Sequence, residues 1–426
     1  MLTYQQAQEI ITKQARSFGQ EKVTLDQAYG RVLAEPILAD RDYPPFNRAT
    51  MDGYAIRYAD WEEGLRNYRV IEIIYAGAAA SKPIGKGECY KIMTGAPVPP
   101  DADVVIRRED TDEGTQPDGS TQSRGSAQSE RSTPSRESSQ TESLTPCVAI
   151  RLPSCRPFQN IARQGEDMQA GDTAIGTPSI IGPAVTGILA SLGKDKCLVE
   201  RLPRVALFTT GNEVVDIDAP VNPIRIRNSN RWIIQSLLKG WGISPYHYEH
   251  LPDTKTALRD SLQQVIAGEA DIILLSGGVS AGDADYVPGV LEELGVQRLF
   301  HKIAIKPGKP VWCGTTPGGG IVFALPGNPF SGIVGFTLLV QPYLHACFGL
   351  AAPAPMGLPL ITPKRKKTPL DEFFPVRISG SPAALHPIDI NGSGDSRLGL
   401  YANALALHPA DSGDLAEGTN LLYYCL

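Results

Sequence analysis

Two lysines, Lys306 and Lys309, flank Pro307-Gly308 in the stretch IAIKPGKPVW (303–312), and Lys302 lies just upstream. Proline followed by glycine is typical of a tight turn, because proline presets φ and glycine tolerates a positive φ. Such a turn brings its first and fourth residues within ~7 Å at Cα. Two ammonium groups at that spacing repel each other unless an anion lies between them. This stretch alone favours an anion site and a solvated surface turn equally.

Three loops that contain glycine follow strand-like segments: TGNEVV (210–215), GGVSAGDADY (277–286) and PGNPFSG (326–332). At the carboxyl ends of parallel strands, such loops form the usual ligand crevice. Mg²⁺ on phosphates typically takes one or two carboxylates and several waters. Glu213 and Asp285 therefore predict an oxygen-ligand magnesium site. Asp253, in the turn LPDTK, is interpreted either as a further metal ligand or as a cap of the following helix.

The pair Gly277-Gly278 permits a ligand to approach the backbone closely, and amides exposed there bind anions. A plain turn explains such a pair more often than a binding site does, so its neighbours must decide. The chain contains neither the dinucleotide fingerprint GxGxxG nor the Walker loop GxxxxGK[ST]. The loops therefore indicate an anion pocket outside these two nucleotide-binding classes.

The segments around these loops predict the elements that hold them. Strand patterns occur at 205–210, 270–276 and 321–325, and helix patterns at 231–239, 254–267, 285–294 and 330–348. Strands that alternate with helices predict a three-layer α/β unit, a parallel sheet with helices on both faces. If 302–306 is also a strand, Lys302 and Lys306 share one face of it.

The flanking segments have other textures. Residues 1–35 predict two helices, the second over 25–33, and residues 36–105 predict short β strands between turns. Residues 111–146 are dominated by Ser, Thr, Gln, Glu and Gly, which predicts a disordered insertion between two strands. Residues 350–426 predict a small β barrel or sandwich.

Composition excludes several classes of function. The 426-residue chain has a net charge of −6, which argues against a nucleic-acid partner. The start lacks the features of a signal peptide, and the longest apolar run, 333–350, is interrupted by polar residues and predicts a buried helix instead of a membrane span. Seven scattered cysteines without a CxxC motif predict neither disulfides nor a zinc site, in keeping with a cytoplasmic protein.

Long stretches of the chain resemble the molybdopterin molybdenumtransferases, the MoeA family that also includes the E domain of gephyrin. The matching stretches, in family order, are ATMDGYAIR (49–57), KIMTGAPVP (91–99), ARQGEDMQAGD (162–172), FTTGNEV (208–214), RNSNRWII (227–234), LSGGVSAGDADY (275–286), KIAIKPGKPVW (302–312) and LPGNPFSG (325–332). They span most of residues 1–350. The C-terminal part matches more loosely, through DEFFPVRI (371–378) and NGSGDSRLGLYANALALHP (391–409).

The resemblance implies a multidomain α/β fold and an activity. The implied domains are an N-terminal helical linking domain (1–35 plus 166–200), a β lid domain (36–165) with the disordered insertion 111–146, a molybdopterin-binding, adenylyltransferase-like catalytic domain (201–349) and a C-terminal small β barrel (350–426). The family converts adenylylated molybdopterin and molybdate to molybdenum cofactor and AMP with Mg²⁺. The resemblance also implies a cytoplasmic homodimer with shared active sites. A molybdopterin adenylyltransferase would supply its substrate, and molybdoenzymes would receive its product.

The resemblance also assigns roles to residues of this chain. The acidic, metal-associated set is Glu213, Asp253 and Asp285; the charge-neutralising set is Lys302, Lys306 and Lys309; and the set from the lid and its hinge, which reaches across the dimer, is Asp52, Thr94 and Asp167. The implied substrate-binding residues are Gly277, Gly278, Ser280, Asn230, Pro326, Gly327, Asn328, Pro329 and Ser331, with Arg377 and Ser396 as possible molybdate ligands from the C-terminal domain.

This chain departs from the family pattern at several positions. Asn212 stands where the family usually has aspartate, which removes one negative charge beside Glu213. Ala162 and Gln164 leave fewer basic residues before the GED loop, and Pro375 replaces an arginine of many members. Two alternatives remain open at the level of sequence. The first is a non-catalytic scaffold of the gephyrin type, and the charged rim argues against it because a scaffold has no use for one. The second is a molybdopterin adenylyltransferase, and the motifs MDGYA and MTGAP argue against it because such an enzyme would lack them.

Overall fold

The computed structural model describes residues 1–117, 144–279, 285–395, 397 and 399–426. The chain folds into two compact units. One unit comprises 36–175, and the other comprises 1–35 together with 176–426. The division into four domains stays a prediction.

The unit 36–175 is built on a six-stranded sheet. In spatial order its strands are Val104–Arg107, Gly53–Ile56, Glu88–Ile92, Asn67–Ile74, Leu144–Ile150 and Thr111–Pro117. Two short pairs accompany it, Arg48–Ala49 with Ile161–Ala162 and Ile37–Leu38 with Thr173–Ile175, and so do a helix, Tyr58–Glu62, and a 3₁₀ turn, Arg108–Asp110. Alternate residues of the central strands enter separate apolar clusters on the two faces, as Ala55 and Tyr54 do. The predicted β character of this region is confirmed.

The prediction of disorder over 111–146 is wrong at both of its ends. Thr111–Pro117 pairs antiparallel with Leu144–Ile150 over its whole length. Backbone hydrogen bonds hold the polar strand Thr111–Pro117 to this partner, whose Val148 and Ile150 are buried in an apolar cluster, and sequence composition does not register such pairing. Glu113 adds side-chain bonds, since its Oε1 accepts from Tyr54 (2.7 Å), Lys91 (3.0 Å) and Arg108 (2.9 Å). Residues 118–143 lie outside the described residues.

The other unit begins with a small four-stranded sheet in the order Gln20–Thr24, Lys196–Glu200, Val32–Leu33, Ser179–Ile180. This part of the chain also contains two helices, Tyr4–Thr12, whose Tyr4, Ala7 and Ile11 belong to the main core, and Pro183–Ser191. The helix predicted over 25–33 is wrong: only a 3₁₀ turn, Leu25–Gln27, forms before the strand Val32–Leu33. Gly30, at φ +78°, turns the backbone into the left-handed region and ends helical structure there.

A six-stranded sheet forms the centre of this unit, with the strands Val205–Thr210, His247–Leu251, Ile272–Ser276, Gln297–His301, Trp312–Thr315 and Ile321–Leu325. Four of them run parallel in the order 247–251, 205–210, 272–276, 321–325. The strands 312–315 and 297–301 continue the sheet antiparallel. The three strands predicted from the sequence are parallel as expected. The two antiparallel strands beyond them were not predicted, and short connections replace helical crossovers there.

Helices cover both faces of the central sheet, as the three-layer prediction requires. Ser229–Lys239 and the long helix Pro329–Cys347 pack on one face. Lys255–Ile266 and Val287–Glu293 pack on the other. Alternate side chains of the strand Val205–Thr210 pack into the two cores on opposite faces of the sheet.

The helix Pro329–Cys347 is long and apolar enough to span a membrane by length and composition, and 72% of it is buried inside the protein. It runs as Pro329–Gly335, a π-helical turn Phe336–Val340 and Gln341–Cys347. Its side chains, Phe336 and Leu339 among them, belong to the main core. This agrees with the predicted core helix.

The C-terminal residues form a further sheet from Met356–Pro359, Asp371–Ser379, Ala384–Pro387, Ala404–His408 and Asn420–Cys425. Its edge strand is Ile305–Lys306, which pairs parallel with Asp371–Glu372. The lysine motif is therefore part of the C-terminal sheet. A continuous strand over 302–306 does not form, because Lys302 adopts φ +71° and Ala304 bonds to Leu2.

Candidate functional site

A cleft of about 730 Å³ lies at the carboxyl ends of three neighbouring strands of the central sheet. The loops after the strands 205–210, 272–276 and 321–325 line it, as predicted from their position. The site residues from the sequence that line the cleft are Glu213, Asp253, Asp285, Gly277, Gly278, Asn230, Pro326, Gly327, Asn328 and Pro329. Residues far apart in the chain thus form one pocket.

Glu213 lies in a turn that depends on glycine at position 211. Gly211 adopts φ +139°, and its carbonyl accepts the N–H of Val214 at 3.2 Å. A Cβ atom at position 211 would lie 3.2 Å from both carboxylate oxygens of Glu213 and 2.8 Å from Val214 Cγ2. The carboxylate of Glu213 therefore folds back over Gly211.

Asp253 is joined to the same loop by a reciprocal pair of hydrogen bonds. Its Oδ2 accepts the backbone N–H of Asn212 at 3.3 Å, and its own N–H donates to Asn212 Oδ1 at 3.2 Å. The helix Lys255–Ile266 is capped by Thr254 and not by Asp253, so the cap interpretation is wrong. Asn212, a departure from the family pattern, provides the acceptor that holds this turn.

The glycine pair 277–278 marks a close approach of two strand ends. Gly277 and Gly278 have φ +105° and +68°. A Cβ atom at 277 would lie 2.6 Å from Thr210 Oγ1 and 3.0 Å from its carbonyl oxygen, and one at 278 would lie 2.8 Å from Val287 Cγ2. Any side chain would therefore force these loops apart. Ser280, in the same predicted loop, lies outside the described residues.

Asn230 joins two walls of the cleft. Its Nδ2 donates to Ser276 Oγ at 2.9 Å and to the Gly327 carbonyl at 2.6 Å. Its Oδ1 is buried and has no hydrogen-bond partner within the described part of the chain.

Two residues from the C-terminal part, Ser393 and Gly394, complete the cleft, and sequence reasoning missed both. Ser393 Oγ accepts from Asn328 Nδ2 at 2.9 Å, and its carbonyl accepts the N–H of Phe330 at 3.4 Å. Gly394 lines the cleft. The glycines in NGSGDS were the available signal, whereas the sequence pointed to Ser396, which lies outside the described residues.

The lysines lie around the turn that ends in Pro310, a residue of the cleft wall. Lys306 and Lys309 are exposed and Lys302 is half-buried. The peptide bond Lys306–Pro307 is cis and Gly308 has φ +102°. Among the described residues that line the cleft, none of the three lysines occurs.

Two other predicted site residues of this unit lie apart from the cleft lining that the structure describes. Ser331 is buried in the helix at 3% exposure, with its carbonyl 3.8 Å from a Cβ built on Gly308. Arg377 is exposed on the strand Asp371–Ser379, opposite His386.

The unit 36–175 brings Asp52 and Thr94 together. Asp52 Oδ1 accepts from the backbone N–H and from the hydroxyl of Thr94, each at 2.7 Å. These two bonds, the backbone one first, lower the pKa of Asp52. Asp167 lies in a different turn, where its N–H donates to the Tyr43 carbonyl at 2.9 Å.

The carboxylates of the cleft suit a hard cation in their chemistry, although they are not gathered into a closed cage. Within the described residues, no group of three or more His, Cys, Asp or Glu side chains could hold a metal ion. Mg²⁺ needs only one or two carboxylates when substrate phosphates and waters supply its other ligands. One or two of Glu213, Asp253 and Asp285, all of which line the cleft, would fit that pattern.

Comparison with known proteins identifies the family. Residues 2–193 match the model of the MoeA N-terminal region (domain I and II), and residues 206–346 match that of a probable molybdopterin binding domain. A molybdopterin molybdenumtransferase of Synechocystis is 30% identical over 399 residues, 93% of this chain and 92% of the relative. One of Staphylococcus epidermidis is 30% identical over 425 residues, 98% of this chain and 94% of the relative.

Solved structures agree. The molybdopterin biosynthesis moeA protein from Pyrococcus horikoshii OT3 is 27% identical, with a TM-score of 0.79 and full coverage of both chains. The chain belongs to the molybdopterin molybdenumtransferase (MoeA) family. It is therefore an enzyme, a transferase of molybdenum cofactor biosynthesis.

Proposed function

We propose that this enzyme converts adenylylated molybdopterin and molybdate to molybdenum cofactor and AMP, in a reaction that depends on Mg²⁺. The observation that carries the proposal is the cleft at the strand ends, which three carboxylates and the glycine pair 277–278 line. The substrate bears a phosphoanhydride, and molybdate is a second oxyanion. Such ligands require cationic and hydrogen-bonding groups arranged around a pocket.

One or two of the carboxylates Glu213, Asp253 and Asp285 would hold Mg²⁺ together with substrate phosphates and waters. When bound, the ion would neutralise charge on the phosphate oxygens and so favour cleavage of the phosphoanhydride. The residues of the chain orient it: Asn212 holds the Asp253 turn, and the Gly211 turn presents Glu213. The residues around Asn230 and Asn328 would form the opposite wall of the substrate site.

The lysines would supply the remaining positive charge. Lys306 and Lys309 are exposed, and within the described part of the chain neither ammonium forms an ion pair with a carboxylate. Both are therefore available to phosphate or molybdate oxygens, with Lys302 assigned to another anionic group of the same substrate. Ser331, Arg377, Ser280 and Ser396 complete the proposed binding set.

We further propose that the enzyme acts as a cytoplasmic homodimer with shared sites. Asp52, Thr94 and Asp167 would then serve the cleft of a second copy. Asp52 is suited to that role, because its carboxylate is exposed and the two bonds from Thr94 hold it in place. The seven cysteines are free thiols, which suits a reducing compartment, and the dithiolene sulfurs of the reaction belong to the substrate.

The reaction is tested by incubating the purified enzyme with adenylylated molybdopterin and molybdate, and measuring AMP with and without Mg²⁺. We expect AMP formation that requires both molybdate and the metal. AMP formation that proceeds equally without Mg²⁺ would refute the metal requirement, and the absence of AMP under all conditions would refute the reaction.

Shared sites are tested by mixing Asp52→Ala and Asp285→Ala chains, each inactive alone. In a mixed dimer one of the two sites has both aspartates. Random pairing makes half of the dimers mixed, so we expect about one quarter of wild-type activity, ½ × ½. A mixture as inactive as its components would contradict a site built from two chains.

A further inference from the structure

Behind the carboxylate loop, four polar side chains form one hydrogen-bonded group. Asn228 and Thr209 are buried, at 3% and 2% exposure. Asn228 Nδ2 lies 2.8 Å from Thr209 Oγ1 and 3.1 Å from the hydroxyl of Tyr248, and those two oxygens are 3.3 Å apart. His250 Nδ1 lies 3.0 Å from Thr209 Oγ1. Buried polar atoms need partners, and here the members of the group supply them to each other.

The second nitrogen of His250 connects this group to the carboxylate loop. His250 Nε2 lies 3.0 Å from the carbonyl oxygen of Gly211. A carbonyl only accepts, so Nε2 carries the proton and Nδ1 accepts the Thr209 hydroxyl proton. Thr209 Oγ1 then accepts from Asn228 and from Tyr248. One consistent set of proton positions satisfies every donor in the group, which makes the group rigid.

The Gly211 carbonyl is the point at which this group reaches the site. It accepts both the His250 ring N–H and the backbone N–H of Val214, which closes the turn containing Glu213. The Glu213 carboxylate lies over the Cα of the same glycine. A shift of Gly211 therefore moves Glu213 with it.

The other end of the group is anchored at a second wall of the cleft. Asn228 Oδ1 accepts the N–H of Arg231 at 3.1 Å and so caps the helix Ser229–Lys239. Asn230, which binds Ser276 and Gly327, lies in the first turn of that helix. The group thus spans from the helix end that carries Asn230 to the turn that carries Glu213.

We propose that His250 is a positioning residue, which fixes the turn 211–214, and with it the Glu213 carboxylate, to the amino end of the helix Ser229–Lys239. This inference rests on the proposed function only in so far as Glu213 serves as a metal ligand there. Backbone bonds also tie this loop to the residues before the helix, since Ile226 N–H donates to the Glu213 carbonyl at 2.9 Å and Asn228 N–H donates to the Val215 carbonyl at 2.8 Å. The bond from Nε2 is the contact that a side chain of the buried group makes with Gly211 itself, and a substitution can remove it without touching the backbone ladder.

Three substitutions separate this bond from general packing. In His250→Gln the amide nitrogen occupies the place of Nε2 and retains a donor to Gly211, whereas in His250→Asn the shorter amide reaches only towards Thr209. His250→Ala removes both bonds. The matched control is His247→Ala, on the same strand, because the His247 ring packs against Phe208 and makes no bond to the turn.

The first measurement is amide hydrogen exchange of the peptide covering 209–216 in the full-length protein. We expect exchange about fivefold faster in His250→Ala and His250→Asn, the factor for losing one hydrogen bond worth ~1 kcal/mol. His250→Gln should remain within twofold of wild type, and His247→Ala should not alter this peptide. Unchanged exchange in His250→Ala, or faster exchange spread evenly over the whole protein, would overturn the proposal.

The second measurement is the affinity for Mn²⁺ as a Mg²⁺ substitute, followed by the signal of free Mn²⁺, with AMP formation assayed in parallel. We expect weaker Mn²⁺ binding and a lower kcat in the Ala and Asn variants, with both restored in Gln. An active wild type combined with a fully active His250→Ala enzyme would refute the inference and leave the function intact. Localised exchange effects in a protein that forms no AMP would support the inference and refute the proposed function.

Discussion

The two charged regions of the proposed site, the carboxylate loops and the lysine turn, differ in how their charged side chains are held. Glu213 and Asp253 lie in turns closed by hydrogen bonds to Gly211 and Asn212. The backbone of the lysine turn is also hydrogen-bonded, since Ile303 N–H donates to the Lys309 carbonyl at 3.0 Å. The side chains of Lys306 and Lys309 are exposed, and in the described part of the chain their ammonium groups have no hydrogen-bond or ion-pair partner. The carboxylate of Asp253 thus accepts a hydrogen bond and that of Glu213 lies against Gly211, whereas the two ammonium groups are unpaired.

This difference has a physical reason. A carboxylate that holds a metal must keep its geometry, and pre-ordered groups lose little entropy when the ion binds. A lysine carries its charge on a flexible stem and can follow an oxyanion whose position changes during a reaction. Substitutions on the acidic side should consequently affect both structure and chemistry, while those on the basic side should affect chemistry alone.

The largest effect is expected from removing an acidic group. We expect Asp285→Ala to lower AMP formation at least a thousandfold, about 4 kcal/mol in the barrier, because a proposed metal ligand is lost. The check is the rate of AMP release with molybdate and Mg²⁺. The control is Asp260→Ala, at an exposed position of the helix Lys255–Ile266. Wild-type turnover in a folded Asp285→Ala protein would remove Asp285 from the metal site.

The next effect tests whether the acidic side depends on its backbone. We expect Gly211→Ala to lower stability by about 1–3 kcal/mol, since alanine is strained at φ +139° and its Cβ meets Val214 and the Glu213 carboxylate. The midpoint temperature of thermal unfolding and the rate of AMP release should both fall. Gly187→Ala is the matched control, because nothing lies within 4 Å of its Cβ and the residue is inside a helix, where alanine stabilises. Equal behaviour of the two variants would contradict the assigned role of Gly211.

Substitution of the lysines tests the other side of the comparison. We expect Lys306→Ala and Lys309→Ala each to lower kcat/KM about thirtyfold, roughly 2 kcal/mol, through loss of a charge on the ligand. Stability should change by less than about 0.5 kcal/mol, because both residues are exposed. Lys367→Ala serves as the control. A large fall in the melting temperature would show that the lysine turn is as rigidly held as the acidic loops.

The smallest effect concerns the departure at position 212. Asn212→Asp retains an acceptor for the Asp253 N–H and adds one negative charge beside Glu213. We expect the Mg²⁺ concentration for half-maximal AMP formation to fall about threefold, roughly 0.7 kcal/mol for an exposed charge. Asp218→Asn, at an exposed position of the same segment, is the control for net charge. A higher Mg²⁺ requirement would mean that the added charge repels Asp253 more than it attracts the metal.

The central part of the fold could be predicted because its patterns are strong. Buried strands such as Val205–Thr210 and the amphipathic helix Lys255–Ile266 match their predictions closely. The antiparallel edge strands Trp312–Thr315 and Gln297–His301 were missed, since they are short and mixed in polarity. Isolated periodicity carries little information over four or five residues.

The predictions for the two ends of the insertion and for the segment 25–33 were wrong for related reasons. At Thr111–Pro117 a ladder of backbone bonds outweighs a composition typical of disorder. At 25–33 apolar spacing favoured a helix, but Gly30 and the partner strands decided otherwise. In each case the stabilising partner lies far away in the chain, where a local pattern cannot reveal it.

The amino-acid sequence alone specified the chemistry of this protein: carboxylates and glycines at strand ends, two lysines around a Pro-Gly turn, and the motifs of a family. The tertiary structure decided which of these groups meet. In the folded chain Asn212 is hydrogen-bonded to Asp253, His250 is hydrogen-bonded to the Gly211 carbonyl, and Ile305–Lys306 pairs with a strand of the C-terminal sheet. These are hydrogen bonds between distant segments, and their partners are determined by packing of the whole chain and not by any local preference.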